Sequence, residues 1–335
     1  MPRVSVKKDA PQCVSGARGC ESHGNQPLKR RPRSRVGNVG EKVPAKIKVG
    51  EFEIALLSDG LWRNDGGCMF GVVPRELWKR EHPADDRNRI RLNLVCPLIM
   101  RGGAAVLVDT GIGNRLSSVE RKIFDHGEGW LLDGLKALGM EPGDVTHVVL
   151  SHLHFDHCGG IVRRRPSGVL EAAFPRATVL VQRGELEIAR GSRNERLRAA
   201  YRHIEECLAP LGNALEPLEG DTALMSGLAI RVTGGHTADH QIVIVSDNDG
   251  GCFVHLADIV PTRSHMKGPW NQAYDLDALR TMEAKADYLE RAIEGGWWVS
   301  FAHDDRVLAA QVRNDRGQLA LGESIEMPAL EPAGD

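Results

Sequence analysis

From about Ile47 onward, short runs of β-branched, aliphatic and aromatic residues recur between Gly, Pro, Asp and Asn. Nine of them predict strands: Phe52–Leu57, Leu94–Met100, Ala105–Asp109, His147–Leu150, Thr178–Gln182, Leu228–Thr233, Gln241–Ser246, Cys252–Leu256 and Trp297–Phe301. Each is short and bounded by turn residues, as the strands of a layered sheet are. Helical patterns fall at Gly129–Leu138, Asn194–Leu211 and Leu276–Gly295. The last carries Leu279, Met282, Ala286, Leu289 and Ile293 at steps of three or four, one apolar stripe of a helix. Many strands with a few helices between them predict an α+β fold, two facing sheets with helices outside. No internal repeat interrupts this texture.

Composition changes the picture mainly at the N-terminus. The chain of 335 residues carries 43 Lys and Arg against 45 Asp and Glu. Residues 1–46 hold 11 of the basic and 3 of the acidic residues, leaving 32 and 42 for the rest. This stretch is rich in Pro, Gly and Ser, has no apolar periodicity, and contains Lys29-Arg30-Arg31-Pro32-Arg33-Ser34-Arg35. Residues 1–45 are therefore expected to be a disordered basic tail. Hydrophobic content of 41% and charged content of 26% are ordinary for a globular protein. No apolar run reaches the 18 or so residues of a membrane span, and no secretory signal pattern opens the chain. Seven scattered cysteines without a C-x-x-C pair favour reduced thiols, and with them a cytoplasmic location and no membrane partner.

The chemistry concentrates at Ser151-His152-Leu153-His154-Phe155-Asp156-His157-Cys158-Gly159-Gly160. Residues two apart in an extended segment point the same way, so His152 and His154 can grip one ion from one side. Asp156 and His157 lie on the turn beyond, within reach of a second. Imidazole with carboxylate suits zinc, iron, cobalt or manganese. Further polar residues follow strand ends: Asp109, His236 after Gly234-Gly235, Asp258 after Ala257, and His303 before Asp304. Loops at successive ends of a rigid sheet are how an active site is assembled.

This pattern resembles the metallo-β-lactamase superfamily over most of residues 47–313. The resemblance implies a four-layer αββα sandwich with two metal ions at one edge, most simply Zn2+. It places a hydrolase domain at 46–320 and a flexible tail at 321–335. It assigns His152, His154 and His236 to one ion and Asp156, His157 and His303 to the other, with Asp258 bridging. Asp109 matches a position that supports the metal-binding loop without binding metal. Two divalent ions less two carboxylates leave a positive centre, which favours a bound hydroxide. Metal binding brings the pKa of water down to about 7, and ions about 3.5–4 Å apart can share that nucleophile. The implied reaction is hydrolysis, with Asp156 passing a proton to the leaving oxygen. The commonest zinc β-lactamases have Cys where Asp258 stands, which argues against β-lactams as substrates.

A more specific resemblance is to the YtnP-like quorum-quenching lactonases. It rests on Asp65-Gly66-Gly67-Cys68-Met69-Phe70-Gly71-Val72-Val73-Pro74 with Leu77-Trp78, Asp109-Thr110-Gly111-Ile112-Gly113-Asn114, Gly235-His236-Thr237-Ala238-Asp239-His240 and His255-Leu256-Ala257-Asp258-Ile259-Val260-Pro261-Thr262. It implies opening of the lactone ring of N-acyl-homoserine lactones by a metal-bridging hydroxide. The partner is then a small lactone or ester, and a homodimer is implied by analogy. The apolar, Gly-broken segment Leu61–Trp78 is either an acyl-chain seat or packing. Pro269-Trp270 and Tyr274 are further wall candidates. Better-known acyl-homoserine lactonases carry Tyr three residues after the bridging Asp, where this chain has Pro261. That departure leaves His265 as a substitute donor to be placed, and keeps aryl-esterase or phosphotriesterase activity as the alternative. A superfamily nuclease gripping RNA with the basic tail is disfavoured by the acidic balance of the folded region.

Overall fold

The computed structural model describes residues 44–126, 130–191, 197, 201 and 204–327. Of the expected basic tail, residues 1–43 lie outside the described residues, as do 328–335 at the other end. A first sheet is built from β1 (Lys46–Val49), β2 (Phe52–Asp65), β3 (Arg89–Arg101), β4 (Ala104–Val108) and β5 (His147–Val149). The chain then forms a separate hairpin, β6 (Val162–Arg164) and β7 (Leu170–Ala172). It returns to the first sheet through β8 (Thr178–Gln182) and β9 (Leu215–Leu218). Across that sheet the order is β1-β2-β3-β4-β5-β8-β9, antiparallel as far as β4 and parallel from β4 to β9.

The second sheet takes the remaining strands in sequence order: β10 (Thr222–Met225), β11 (Leu228–Val232), β12 (Gln241–Ser246), β13 (Cys252–His255), β14 (Trp298–Ser300), β15 (Val307–Asp315) and β16 (Gln318–Glu326). Only β13 and β14 run parallel, because the helix Ala278–Gly295 carries the chain back between them. The domain end expected at 320 falls inside β16, which pairs with β15 through Glu326↔Val307.

Period-two alternation divides the first sheet between two cores. Ala55, Leu57, Cys96, Leu98, Leu107, Val148 and Val179 pack against the helices Trp130–Ala137, Arg183–Gly191 and Ile204–Leu208. Their neighbours Ile54, Leu56, Val95, Ile99, Val106, Val108, Val149 and Leu180 face the second sheet, meeting Leu228, Ile230, Val243, Val245 and Phe253. The opposite face of the second sheet, through Ile242, Val254, Val299 and Ala310, covers the helix Ala278–Gly295 at Tyr288, Leu289 and Ala292. The layers are therefore helix, sheet, sheet, helix, as expected. Strands buried on both faces read as unbroken apolar runs, which is why β4, β5, β8, β12 and β13 were legible.

Two expectations change. Of the helix expected at Asn194–Leu211, Leu197 and Tyr201 are described singly and the stretch from 204 forms the helix Ile204–Leu208 followed by a 3-10 segment Ala209–Ala214; residues 192–196, 198–200 and 202–203 lie outside the described residues. The helix Arg183–Gly191 was not expected, since its charged surface hides a narrow apolar edge at Leu186 and Ile188.

Candidate metal centre

Strand ends supply the polar groups, and local backbone conformation aims them. Past the end of β4, Asp109 adopts φ 57°, a left-handed conformation that Asp tolerates better than most residues. Its Oδ1 accepts from the Ser151 N–H at 2.7 Å and its Oδ2 from the Ser151 hydroxyl at 2.8 Å. Oδ2 also lies 2.9 Å from Nδ1 of His157. Asp109 thus fixes the loop after β5 and one imidazole on it, the supporting role expected of it.

After β5 the chain stays extended through His154 and then makes one helical turn, Phe155–Cys158. The His152 and His154 rings lie side by side, 4.4 Å between centres. The turn ends against the Thr110–Gly113 loop, with the Thr110 N–H donating to the His157 carbonyl at 2.7 Å. A Cβ on Gly160 would stand 2.1 Å from the Thr110 carbonyl oxygen, so only glycine allows this approach. Cys158 is buried beside Cys207, and their hydrogen bond together with burial pushes the Cys158 thiol up. It is a buried packing thiol, and the five described cysteines are all unpaired by disulfides, in keeping with the reduced thiols expected.

Beyond β11, Gly234 and Gly235 take φ 63° and 91° and deliver His236. Beyond β13, Ala257 adopts φ 44° immediately before Asp258. An alanine held there costs about 1–2 kcal/mol, a cost concentrated at functional sites when surrounding structure enforces it. Beyond β14, His303 is anchored twice: its N–H donates to the Pro261 carbonyl at 2.7 Å and its Nδ1 to the Asn93 carbonyl at 2.9 Å.

All seven expected residues converge. Donor atoms of His152, His154 and His236 form one group, those of Asp156, His157 and His303 a second, and His152, His157 and Asp258 a third, each within 4.8 Å. Asp258 presents Oδ2 to Nε2 of His236 at 3.2 Å. Its Oδ1 faces Nε2 of His157 and of His303, each at 3.2 Å. Asp156 Oδ2 lies 3.5 Å from Nε2 of His303 and 3.9 Å from Nε2 of His157.

The donor atoms fit cations. His157 and His303 each have Nδ1 committed to an acceptor, which leaves the ε nitrogens as the atoms free to bind a cation, and the two face each other at 3.1 Å. His236 Nδ1 is committed to Asp275 Oδ1 at 2.8 Å, leaving Nε2 to face His154 Nδ1 at 3.1 Å. Nε2 of His152 and Oδ1 of Asp258 are buried without a hydrogen-bond partner, an arrangement that costs free energy unless something else binds there. Burial holds His152 and His154 well below the ordinary histidine range, so both offer neutral imidazole. Burial alone would raise Asp258, but His157, His303 and His236 hold it well below the usual carboxylate range.

Several supports were not singled out from sequence. Asp275 orients His236 but sits 39 positions away with no local pattern to mark it. Gln272 Nε2 donates to Asp258 Oδ2 at 3.0 Å. His240, visible only as the end of the Gly235–His240 motif, accepts the Asp258 N–H at 3.2 Å and pairs through Nδ1 with the Thr233 hydroxyl at 2.8 Å. Burial drives His240 down to about 3, so it is the neutral acceptor this bond needs.

The segment Leu61–Trp78 resolves chiefly as packing. Trp62, Met69, Phe70 and Trp78 are buried, and Phe70 is stacked between Trp78 and His265. Val72 alone is fully displayed, at 92% exposure, with Leu77 at 45%. Trp270 joins the same cluster, edge-on to Phe70, while Tyr274 is half-buried with its hydroxyl 3.2 Å from Asn64 Nδ2. His265 is spent on this packing: Nδ1 lies 2.7 Å from the Thr262 hydroxyl and Nε2 donates to the Met69 carbonyl at 2.8 Å. It is not a donor facing the centre.

Known proteins share both sequence and layers with this chain. The sequence profile of the metallo-beta-lactamase superfamily matches residues 94–305. An N-acyl homoserine lactonase of a Bacillus species is 28% identical over 185 residues, 51% of this chain and 66% of that protein. The enzyme AiiA of Bacillus thuringiensis subsp. kurstaki, also an N-acyl homoserine lactonase, is 29% identical over 191 residues, 53% and 68% of the two chains. The chain thus spans about two thirds of the length of the curated relatives it matches. A probable metal-dependent hydrolase from Staphylococcus aureus superposes with TM-score 0.78 at 30% identity, covering 85% of this chain and all of that one. The dizinc quorum-quenching lactonase AidC shares the fold at TM-score 0.69 and 20% identity, over 86% and 99% of the two chains. No helix among the described residues is long and apolar enough to cross a membrane. On the profile match and the layered fold together, this chain belongs to the metallo-beta-lactamase superfamily and is a hydrolase of it.

Proposed function

We propose that the chain opens the lactone ring of N-acyl-homoserine lactones at this centre. The observation that carries the reading is the Asp258 carboxylate, one oxygen 3.2 Å from His236 and the other 3.2 Å from His157 and His303. A carboxylate so placed would be shared between two divalent ions, zinc by preference. His152, His154 and His236 would hold one, and Asp156, His157 and His303 the other. Ions bound there supply Lewis acidity and a water of lowered pKa.

The chain's own residues do the positioning. Asp109, Asp275 and the Asn93 carbonyl occupy the δ nitrogens of His157, His236 and His303, which leaves every ε nitrogen facing inward. Asp156, less buried than the other ligand candidates, stands to carry a proton to the leaving alkoxide oxygen. Relatives that are N-acyl homoserine lactonases support the substrate class. A homodimer and a cytoplasmic location go with this reading by analogy.

Pro261 favours a second reading. Its carbonyl is committed to the His303 N–H, and the side chain offers no hydroxyl to hold a substrate carbonyl. Aryl esters or phosphotriesters, which lean more on the ions, would then be hydrolysed at the same centre. A pH-indicator assay with metal-replete protein on acyl-homoserine lactones, phenyl acetate and paraoxon separates the two. The lactones should give the highest kcat/KM; a preference for paraoxon would favour the second reading, and no turnover of any would sink both.

A further inference from the structure

A cavity of about 320 Å³ has an apolar wall of Leu116, Phe124 and Phe155. Phe155 stands between His154 and Asp156 in the chain. Trp62 packs against Phe155 and Phe124 at 5.9 and 5.8 Å between ring centres, and against His303 at 5.8 Å. Phe124 and Phe155 of the cavity wall are therefore linked to the metal centre through Trp62.

Charged groups complete the lining, and one stands apart. Glu120 accepts from the Ser117 N–H and hydroxyl at 2.9 and 2.7 Å. Arg164 gives Nη1 to the Gly168 carbonyl at 3.1 Å. Glu206, also on the wall, has a partner of its own. Arg115 is half-buried and makes no hydrogen bond or ion pair among the described residues, and its Nε is fully buried and unpartnered. A guanidinium stays protonated throughout the range in which proteins fold. A buried guanidinium nitrogen with no partner among the described residues is costly unless a ligand completes it.

The chemistry of that ligand follows from the wall. Leu116, Phe124 and Phe155 accept an apolar arm, and a single guanidinium fork accepts a carboxylate with two parallel hydrogen bonds. Glu120 and Glu206 on the same wall offset the charges of Arg115 and Arg164, so a monoanionic carboxylate fits better than a dianionic phosphate. About 320 Å³ is at the small end of ligand pockets, which suits a short arm.

We propose that this cavity seats the acyl arm of the substrate and that Arg115 pairs with a carboxylate at the arm's end. The preferred substrates are then lactones whose acyl group is the half-amide of a short dicarboxylic acid. This rests on the lactonase reading above, and the test keeps the two separable. N-hexanoyl-homoserine lactone and N-(5-carboxypentanoyl)-homoserine lactone have equal chain length and differ by one methyl against one carboxylate. For the metal-replete full chain at low salt, the carboxylate substrate should have a KM lower by about tenfold, the worth of one charge-assisted pair. Added salt should shrink that advantage. In Arg115→Met the ratio of KM values should fall to near unity, and Arg115→Lys should keep part of it.

A wild-type preference for the hexanoyl substrate, or an Arg115→Met variant that keeps the ratio, overturns the proposal. The wild-type ratio and the lysine variant still decide it if the methionine variant does not fold. Should neither lactone be opened, the lactonase reading fails, and titration calorimetry with N-methyladipamic acid then tests the cavity alone. Binding weakened about tenfold or more by Arg115→Met supports the proposal; no binding to the wild type, or equal binding to both, overturns it.

Discussion

Nδ1 of His236 stands 2.8 Å from Oδ1 of Asp275, and both side chains are buried. The carboxylate holds Nδ1, so that the ε nitrogen of His236 faces Asp258 and His154. Backbone bonds hold the two segments together, Leu276 N–H to the His236 carbonyl and Asp277 N–H to the Gly235 carbonyl. Removing the orienting carboxylate from a ligand histidine weakens a metal site by about 10–100-fold. Asp275→Ala should therefore lose that much affinity in a chelator competition, while its circular dichroism stays native. Asp275→Asn, which keeps an acceptor oxygen, should lose less. Unchanged affinity in the alanine variant would remove Asp275 from the centre.

Asp258→Ala takes away the one group that faces both donor sets. On the proposed two-ion reading, metal content after dialysis should drop toward one ion or none, and hydrolysis should fall by about 100-fold or more, because the ions that would activate water are lost. Two ions and full turnover in this variant would show that Asp258 does not bridge.

Gly160→Ala probes the junction on which the whole motif rests. The new Cβ would meet the Thr110 carbonyl oxygen at 2.1 Å, and backbone cannot rotate away as a side chain can. Overpacking of this kind costs about 1–3 kcal/mol, a loss of several degrees in melting temperature. The control Gly143→Ala meets only the flexible Arg176 side chain at 3.9 Å and should melt close to the wild type. Equal melting temperatures for the two variants would mean that the Thr110 loop yields.

Much of this was legible because the same residues do two jobs in the pattern. β4, β5, β8 and β12 read as apolar runs since both faces are buried, and the polar residues that break those runs are the ones that meet at the edge. His152 to His157, His236, Asp258 and His303 could all be found that way. Asp275 and Gln272 could not, for they sit on a loop with no period, and their meaning depends on which histidine or carboxylate lies opposite. β15 and β16 escaped for another reason. Gln318–Glu326 is mostly exposed, so its polar residues hide the alternation, and Val307–Asp315 buries Val307, Leu308, Ala309, Ala310 and Val312 but ends in the exposed Arg313-Asn314-Asp315. The Leu61–Trp78 segment shows the converse error source: apolar content near a site is packing until a cavity is seen, and here the cavity lies instead beside Phe124 and Phe155.

Lys285 links stability to pH through the loop that carries those unmarked residues. It is 1% exposed on the helix Ala278–Gly295, and Nζ donates to the carbonyls of Lys267 and Trp270 at 3.2 and 2.8 Å and to Asn271 Oδ1 at 2.8 Å. Those bonds tie down the stretch leading into Gln272 and Asp275. Burial lowers Lys285 from 10.5 to about 8, with Asp275 pulling weakly the other way. Between those values the unfolded chain binds a proton that the folded chain does not, so stability rises with pH across that window. Below about pH 8 both states are protonated and the burial cost is constant; above 10.5 neither is, and the cost is gone. The full shift corresponds to about 3 kcal/mol. In urea unfolding, the wild type should gain on Lys285→Met as pH goes from about 8 to about 10, up to that amount. Parallel curves would mean that the three acceptors keep Lys285 at its ordinary pKa, and a loss of stability with rising pH would mean that they raise it.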